Sequence, residues 1–303
     1  DDAQALDALT SRSKVILSTA GPFHRCGSKI VASCIKNGTH YVDITGETFW
    51  VRSLIEKYHE KASSKGVKII PLCGFDSIPS DLGVLHISTV LNKPIKRIES
   101  FYSLKGRASG GTIETFFSIK NLDLKTNLSD PFLLNPKDSY SAQQKYLSSD
   151  KISISKKNEI NAWSGPFIMS AINTRVVRRS EALLKLRQKS YGPNFTYQEY
   201  TLHKSWFSAF KSSIIIGLLS LLFISPLKKL IRSFLPKPGE GPSEVIQENG
   251  WFTCKFIVET EDREKSVFVM HGKGDPGYKI TSKLAIESAL CLIESSDSLP
   301  GGS

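Results

Sequence analysis

Residues 14–23 read KVILSTAGPF, residues 38–47 GTHYVDITGE and residues 67–81 VKIIPLCGFDSIPSD. Each contains a short apolar run that breaks at Gly or Pro, the pattern of a strand covered on both faces and ended by a turn. Two stretches with helical spacing lie between them. In Gly27–Asn37 the apolar residues are Ile30, Val31, Cys34 and Ile35, and Gly38 is placed to end the helix. In Thr45–Ser64, Trp50, Leu54, Ile55 and Tyr58 share a face, and Gly66 closes it. Pro79–Leu91 predicts another helix and Ile95–Leu104 another strand. Strand and helix alternate, so parallel strands joined by helical crossovers are expected. The expected fold class is α/β: a partial Rossmann-like parallel sheet, then a second α+β domain carrying an apolar insertion.

The chain has 303 residues, 40% hydrophobic and 23% charged, which excludes collagen-like and wholly disordered chains. Its net charge of +11 is uneven. Residues 1–120 hold 16 basic and 11 acidic groups, residues 121–237 hold 18 and 7, and residues 238–303 hold 6 and 11. A basic middle third favours an anionic partner, either nucleic acid or a membrane face. No recognition helix, zinc finger or aromatic RNA-binding signature accompanies it, so nucleic acid is not expected.

The basic residues instead surround Trp206–Leu227, WFSAFKSSIIIGLLSLLFISPL. Ser212–Leu227 carries no charge but is shorter than the roughly 20 residues a spanning helix needs. Lys204 and Lys211 precede it, and Lys228, Lys229 and Arg232 follow. That suits an in-plane anchor on a membrane or lipid-droplet surface; a helix buried in a domain is the alternative. The five cysteines are odd in number and form no CxxC, so free thiols in a reducing, intracellular setting are expected, and no metal site.

Asn127–Asn158 reads as a long loop, 236–243 (PKPGEGPS) as a linker, Trp251–Thr260 with Lys265–His271 as a hairpin, and Tyr278–Ile293 as an amphipathic helix. Residues 167–190 carry six Arg and Lys with apolar residues at mixed spacing.

Three turns are candidate sites. Thr19, Ala20, Gly21 and Pro22 follow the first strand, at the end where open α/β sheets bind ligands; an ordinary connecting loop is the plain alternative. In Gly74–Asp81, Ser77 or Ser80 can cap a helix that starts near Pro79. Asp76 has no such explanation, and either orients a ligand or closes an Asx turn. Gly110, Gly111 and Thr112 precede a predicted helix, Thr112–Leu124, and suit an anionic or carbonyl group or a plain cap. Gly272–Gly277 satisfies GxGxxG, but no strand follows it and Pro276 removes a donor, so it reads as a turn.

The stretches STAGPF (18–23), GTHYVDITGE (38–47), GFDSIPSDLG (74–83), SGGT (109–112) and DPGY (275–278) resemble the saccharopine dehydrogenase-like oxidoreductases, which include the trans-acting enoyl reductases. The resemblance implies hydride transfer between NADP or NAD and a carbonyl, imine or enoyl group of a lipid-like substrate. It implies a nicotinamide against Thr19, Ala20, Gly21 and Pro22, with Gly46 and Glu47 lining the same crevice. Cys73, Gly74 and Phe75 form the other wall. Gly110, Gly111 and Thr112 touch substrate. Asp76 or Tyr41 is the proton donor, Tyr41 also reading as strand packing. The implied domains are residues 1–92 (cofactor), 93–271 (substrate, with the insertion at 204–235) and 272–303 (a turn and helix returning to the first domain). The family's glycine-rich pyrophosphate turn is not found, so the chain is expected to be a segment of a longer fold. A catalytically silent, membrane-associated protein is the competing expectation, and self-association stays open.

Overall fold

The computed structural model describes residues 2–106, 127–224 and 241–303. Among them the named strands form two sheets. The first has β1 (Val15–Ser18), β2 (His40–Asp43) and β3 (Ile69–Ile70), all parallel, in that order. Helices α1 (Ala3–Ser11), α2 (Phe23–Asn37) and α3 (Thr48–Ser64) belong to this unit. Gly38 ends α2 as predicted: its φ of 76° is open to glycine at no steric cost, and its N–H returns to the Cys34 carbonyl. A Cβ on Gly27 would lie 2.4 Å from Trp50 Cζ2, so α2 approaches the indole of α3 only because position 27 is bare. Val15–Ser18 are each half-buried rather than fully covered, because β1 is an edge strand among the described residues.

Helix α4 (Ile78–Leu91) leads into the second sheet. Its order is β5 (Ser155–Lys157), β6 (Ala162–Gly165), β7 (Thr196–His203), β4 (Ile95–Lys105), β8 (Trp251–Thr260) and β9 (Lys265–Lys273). Only the β4–β7 pair is parallel. The segment expected as a long loop contains a short helix, α5 (Ala142–Leu147), and β5. Residues 170–185 form one helix, α6 (Ser170–Lys185), with Arg175 and Arg178 buried on it. They are not a surface for an anionic partner. Arg178 donates to the carbonyls of Pro131 and Tyr197 at 2.9 Å each, and Arg175 forms an ion pair with Asp150. Single-chain spacing cannot separate such internal cations from surface ones.

Helix α7 (Trp206–Ile224) carries the apolar segment, and α8 (Glu244–Asn249) precedes β8. Among the described residues no helix is long and apolar enough to cross a membrane. The C-terminal helix α9 (Thr281–Ser295) returns to the first sheet, where Leu292 packs with Val42 and Cys73. Gly302 then adds a parallel bridge beside Lys68.

Candidate functional site

The loops after β1, β2 and β3 converge at the C-terminal end of the first sheet, the end at which parallel sheets hold ligands. Thr19, Ala20 and Gly21 are exposed, and Pro22 starts α2.

Asp43 organises the next two loops. It ends β2 fully buried, and one carboxylate oxygen accepts the N–H of Thr45 (2.9 Å) and that of Leu72 (3.1 Å). Leu72 sits at φ 65°, a left-handed conformation that costs a branched side chain about 1–2 kcal/mol. The Asp43 hydrogen bond offsets that cost and fixes the turn that leads into residues 73–76. Burial pushes the Asp43 carboxyl up to about 7.

Glu47 is fully buried. Its oxygens accept the N–H groups of Phe23 (2.9 Å) and His24 (2.8 Å), and His24 Nδ1 lies 2.7 Å away. The Arg25 and Cys26 N–H groups turn back to Pro22 O. The first turn of α2 therefore has no amide left for a phosphate, and Glu47 serves as the cap that Pro22 cannot be. Replacing Glu47 by Ala leaves the Phe23 and His24 N–H groups without their acceptor and removes the partner of His24 Nδ1. A loss of about 3 kcal/mol is expected, read as a lower urea midpoint at unchanged slope.

Asp76 lies in the turn after β3, half-buried. Among the described residues it has no hydrogen bond or ion pair. Burial pushes its carboxyl up to about 6. A Cβ on Gly46 would stand 3.9 Å from Asp76 Oδ2 and 3.3 Å from Ile172 Cδ1 of α6. Gly46 thus keeps open the space in front of the carboxyl. Cys73 and Phe75 turn their side chains away. Cys73 is buried against α9 and burial pushes its thiol up to about 12; Phe75 packs on Tyr102 and Phe252. With Gly74 they offer the crevice backbone only. Phe75 N–H is held by Thr281 Oγ1 at 3.0 Å, which ties this loop to the start of α9.

The capping expected of Ser77 or Ser80 does not occur. Ser77 Oγ is buried without a partner, and Ser80 points into the core beneath the site. There Ser80 Oγ (2.5 Å) and Tyr197 Oη (2.7 Å) donate to Glu199 Oε1, and Asn173 Nδ2 (2.8 Å) donates to Oε2. Tyr102 Oη lies 2.7 Å from Ser80 Oγ. Burial pushes the Glu199 carboxyl up to about 7. This network joins α4, β4, β6-side strand β7 and α6 behind Asp76.

Gly46 and Asp76 lie side by side, Thr19 to Pro22 lead from β1 into α2 at the same end of the sheet, and Glu47 is spent on α2. Tyr41 is fully buried in the core. Gly110, Gly111 and Thr112, with the predicted helix 112–124, lie outside the described residues, as does the insertion beyond Ile224. The 272–277 stretch is not one turn: Gly272 and Lys273 end β9, Gly274 (φ 111°) turns the chain, and Pro276–Ile280 form a π-helical turn capped by Asp275, whose Oδ2 accepts Tyr278 N–H at 2.8 Å. The roles of Asp43, Glu199, Asn173 and Thr281 were not read from sequence. Each depends on a partner distant in the chain, and only the YVDITGE context of Asp43 hinted at one.

A family model described as the saccharopine dehydrogenase NADP-binding domain matches residues 1–70. A Mycobacterium tuberculosis protein named as a candidate trans-acting enoyl reductase is 34% identical over 318 residues, spanning 97% of this chain and 74% of the relative. The trans-acting enoyl reductase of Mycobacterium ulcerans is 32% identical over 324 residues, spanning 97% and 75%. Among solved structures, apo saccharopine dehydrogenase (L-Glu forming) of Saccharomyces cerevisiae covers 99% of this chain and 81% of its own at 13% identity and a TM-score of 0.45.

Proposed function

The chain belongs to the saccharopine dehydrogenase-like oxidoreductases, among the relatives of the trans-acting enoyl reductases, and from that premise we propose that it forms the nicotinamide side of an NADP- or NAD-dependent reductase acting on a lipid-like substrate. The observation that carries this reading is Asp76: a carboxyl with a raised pKa, unpaired among the described residues and facing a space that Gly46 leaves open. The exposed Thr19–Gly21 backbone suits a flat ring, and the consumed amides of α2 fit a nicotinamide end rather than a pyrophosphate end.

A bound reduced nicotinamide supplies the hydride. The chain's own residues position and protonate. Thr19, Ala20 and Gly21 present backbone to the ring and ribose. Asp43 and Thr281 fix the loop that carries Asp76. Asp76 Oδ2, protonated below about pH 6, delivers a proton to the carbon, nitrogen or oxygen that hydride addition leaves negative. Ile172, beside Gly46, limits water.

The test is titration with NADPH and NADH, followed by melting temperature. A ligand at 100 times its Kd stabilises by about 2.7 kcal/mol, a rise of several degrees. Gly46→Leu should fill the space before Asp76 and weaken binding at least about tenfold, a change worth roughly 1.4 kcal/mol. An unchanged melting temperature at millimolar concentrations of both cofactors overturns the reductase reading and leaves the catalytically silent one.

We also propose that α7 rests on a membrane or lipid-droplet surface. Phe207 is 70% exposed, and Trp206, Phe210 and Leu218 are exposed beside it. Substituting Glu for both Phe207 and Phe210 should abolish co-flotation with anionic vesicles and leave the melting temperature unchanged. Equal flotation of the two forms overturns the docking.

A further inference from the structure

A groove of about 470 Å³ lies beside β3, between α3, α4, α6 and the Leu299–Ser303 stretch that bridges β3 at Gly302. It begins at Leu72 and Cys73, on the far side of the Cys73–Ser77 loop, and Asp76 is not part of its lining. The volume lies within the range of about 300–1,000 Å³ usual for small-molecule sites. Its walls are apolar, with Ile70, Leu72, Val176 and Leu183 among them.

The charged side chains in this lining are Lys68, Arg179 and Arg187 against the single acid Asp81, with His59 and four serines as the other polar groups. Arg179 and His59 are hydrogen-bonded to Ser303. Lys68 is different. It is only 7% exposed, and among the described residues its ammonium has neither an ion pair nor a hydrogen bond. Its ammonium end still reaches solvent at the groove and has no counter-ion there, so an anion lying in the groove would be attracted to it. One further atom awaits a partner: Ser77 Oγ is buried, lines the groove and, among the described residues, makes no hydrogen bond, so its hydroxyl can donate to an anion.

We propose that this groove is a binding site for an amphiphile with one anionic head group, the head on Lys68 and the apolar body along Ile70, Leu72 and Leu183. The site is separate from the nicotinamide crevice and does not rest on the reductase reading. A carboxylate and a phosphate monoester share the required chemistry.

The test uses displacement of a dansylated fatty acid by laurate, dodecyl phosphate and dodecanol from the whole chain. Laurate or dodecyl phosphate should compete at least about tenfold better than dodecanol, as expected for one charge-assisted hydrogen bond, and the tighter of the two identifies the head group. Lys68→Met should remove that preference while dodecanol is unaffected. Leu183→Trp, which fills the groove from a half-buried position, should weaken all three. Melting temperature confirms that both variants fold, and NADPH titration should be unchanged in both. Equal competition by dodecanol and the two anions, or anion binding unchanged in both variants, overturns the proposal. Loss of NADPH binding by the unsubstituted chain would strike only the reductase reading.

Discussion

Replacing Asp76 by Asn should lower turnover by a factor of about 100 to 10,000, the usual contribution of one positioned acid. Asn keeps the shape of the turn but has no transferable proton. Cofactor affinity, read by titration, should change little, because the proposed ring contacts are with the Thr19–Gly21 backbone and not with Asp76. The rate of the unsubstituted protein should fall as pH rises through about 6, where Asp76 loses its proton, and that limb should be missing from the variant. Asp76 also costs stability where it sits. Burial disfavours its charged form, and no partner among the described residues offsets this. Asp76→Asn should therefore be neutral or stabilising at pH 8. A variant that keeps full turnover and the same pH profile removes Asp76 from the chemistry.

Glu199→Ala should be among the most damaging single changes to the fold, at about 3–5 kcal/mol. It opens a cavity and leaves Ser80, Tyr197 and Asn173 without their acceptor. Glu199→Gln should be far milder. One amide oxygen can still accept from Ser80 and Tyr197. The new NH₂ group can donate to Asn173 once that side chain flips, since Asn173 Oδ1 is buried and unpartnered.

The two forms should also differ in pH dependence. Folding raises the Glu199 carboxyl from 4.5 to about 7, so between those values the folded state holds the proton that the unfolded state has released. The stabilisation is complete below about pH 4.5 and lost as pH rises to about 7. Glu199→Gln has no such group. Relative to the unsubstituted chain it should gain on the order of 2 kcal/mol between pH 5 and pH 8. Asp43, Asp76 and Asp81 are raised in the same direction and remain in both proteins, so they cancel in the comparison. A constant difference across that range would show that Glu199 is ionised throughout.

These two residues also divide what could be read from the chain. Asp76 was legible because it stands unexplained. The Ser and Pro around it suit a helix start, and a carboxylate between a buried strand and that start has no local duty. Glu199 was illegible. TYQEYTLH alternates only loosely, and nothing adjacent in sequence says that its glutamate meets Ser80, Asn173 and Tyr197 in the core. Glu47 shows the intermediate case. Its position at the end of the second strand was visible, but the carboxylate is used by the backbone of α2, some 24 residues earlier.

The basic middle third divides in the same way. Counting located the charge in residues 121–237, yet Arg175 and Arg178 are buried and bind carbonyls and Asp150, whereas the apolar face of α7 is exposed. By itself the sequence determined the first strands and helices, their parallel order, the Gly38 stop and the three loops that meet at one end of the sheet. Those follow from apolar periodicity and turn chemistry, which act between near neighbours. Only the tertiary structure decided which polar groups face ligand and which are consumed. A buried donor or acceptor must be satisfied by whatever the fold brings to it, and here the partners of Glu47, Asp43, Phe75 and Glu199 come from other elements.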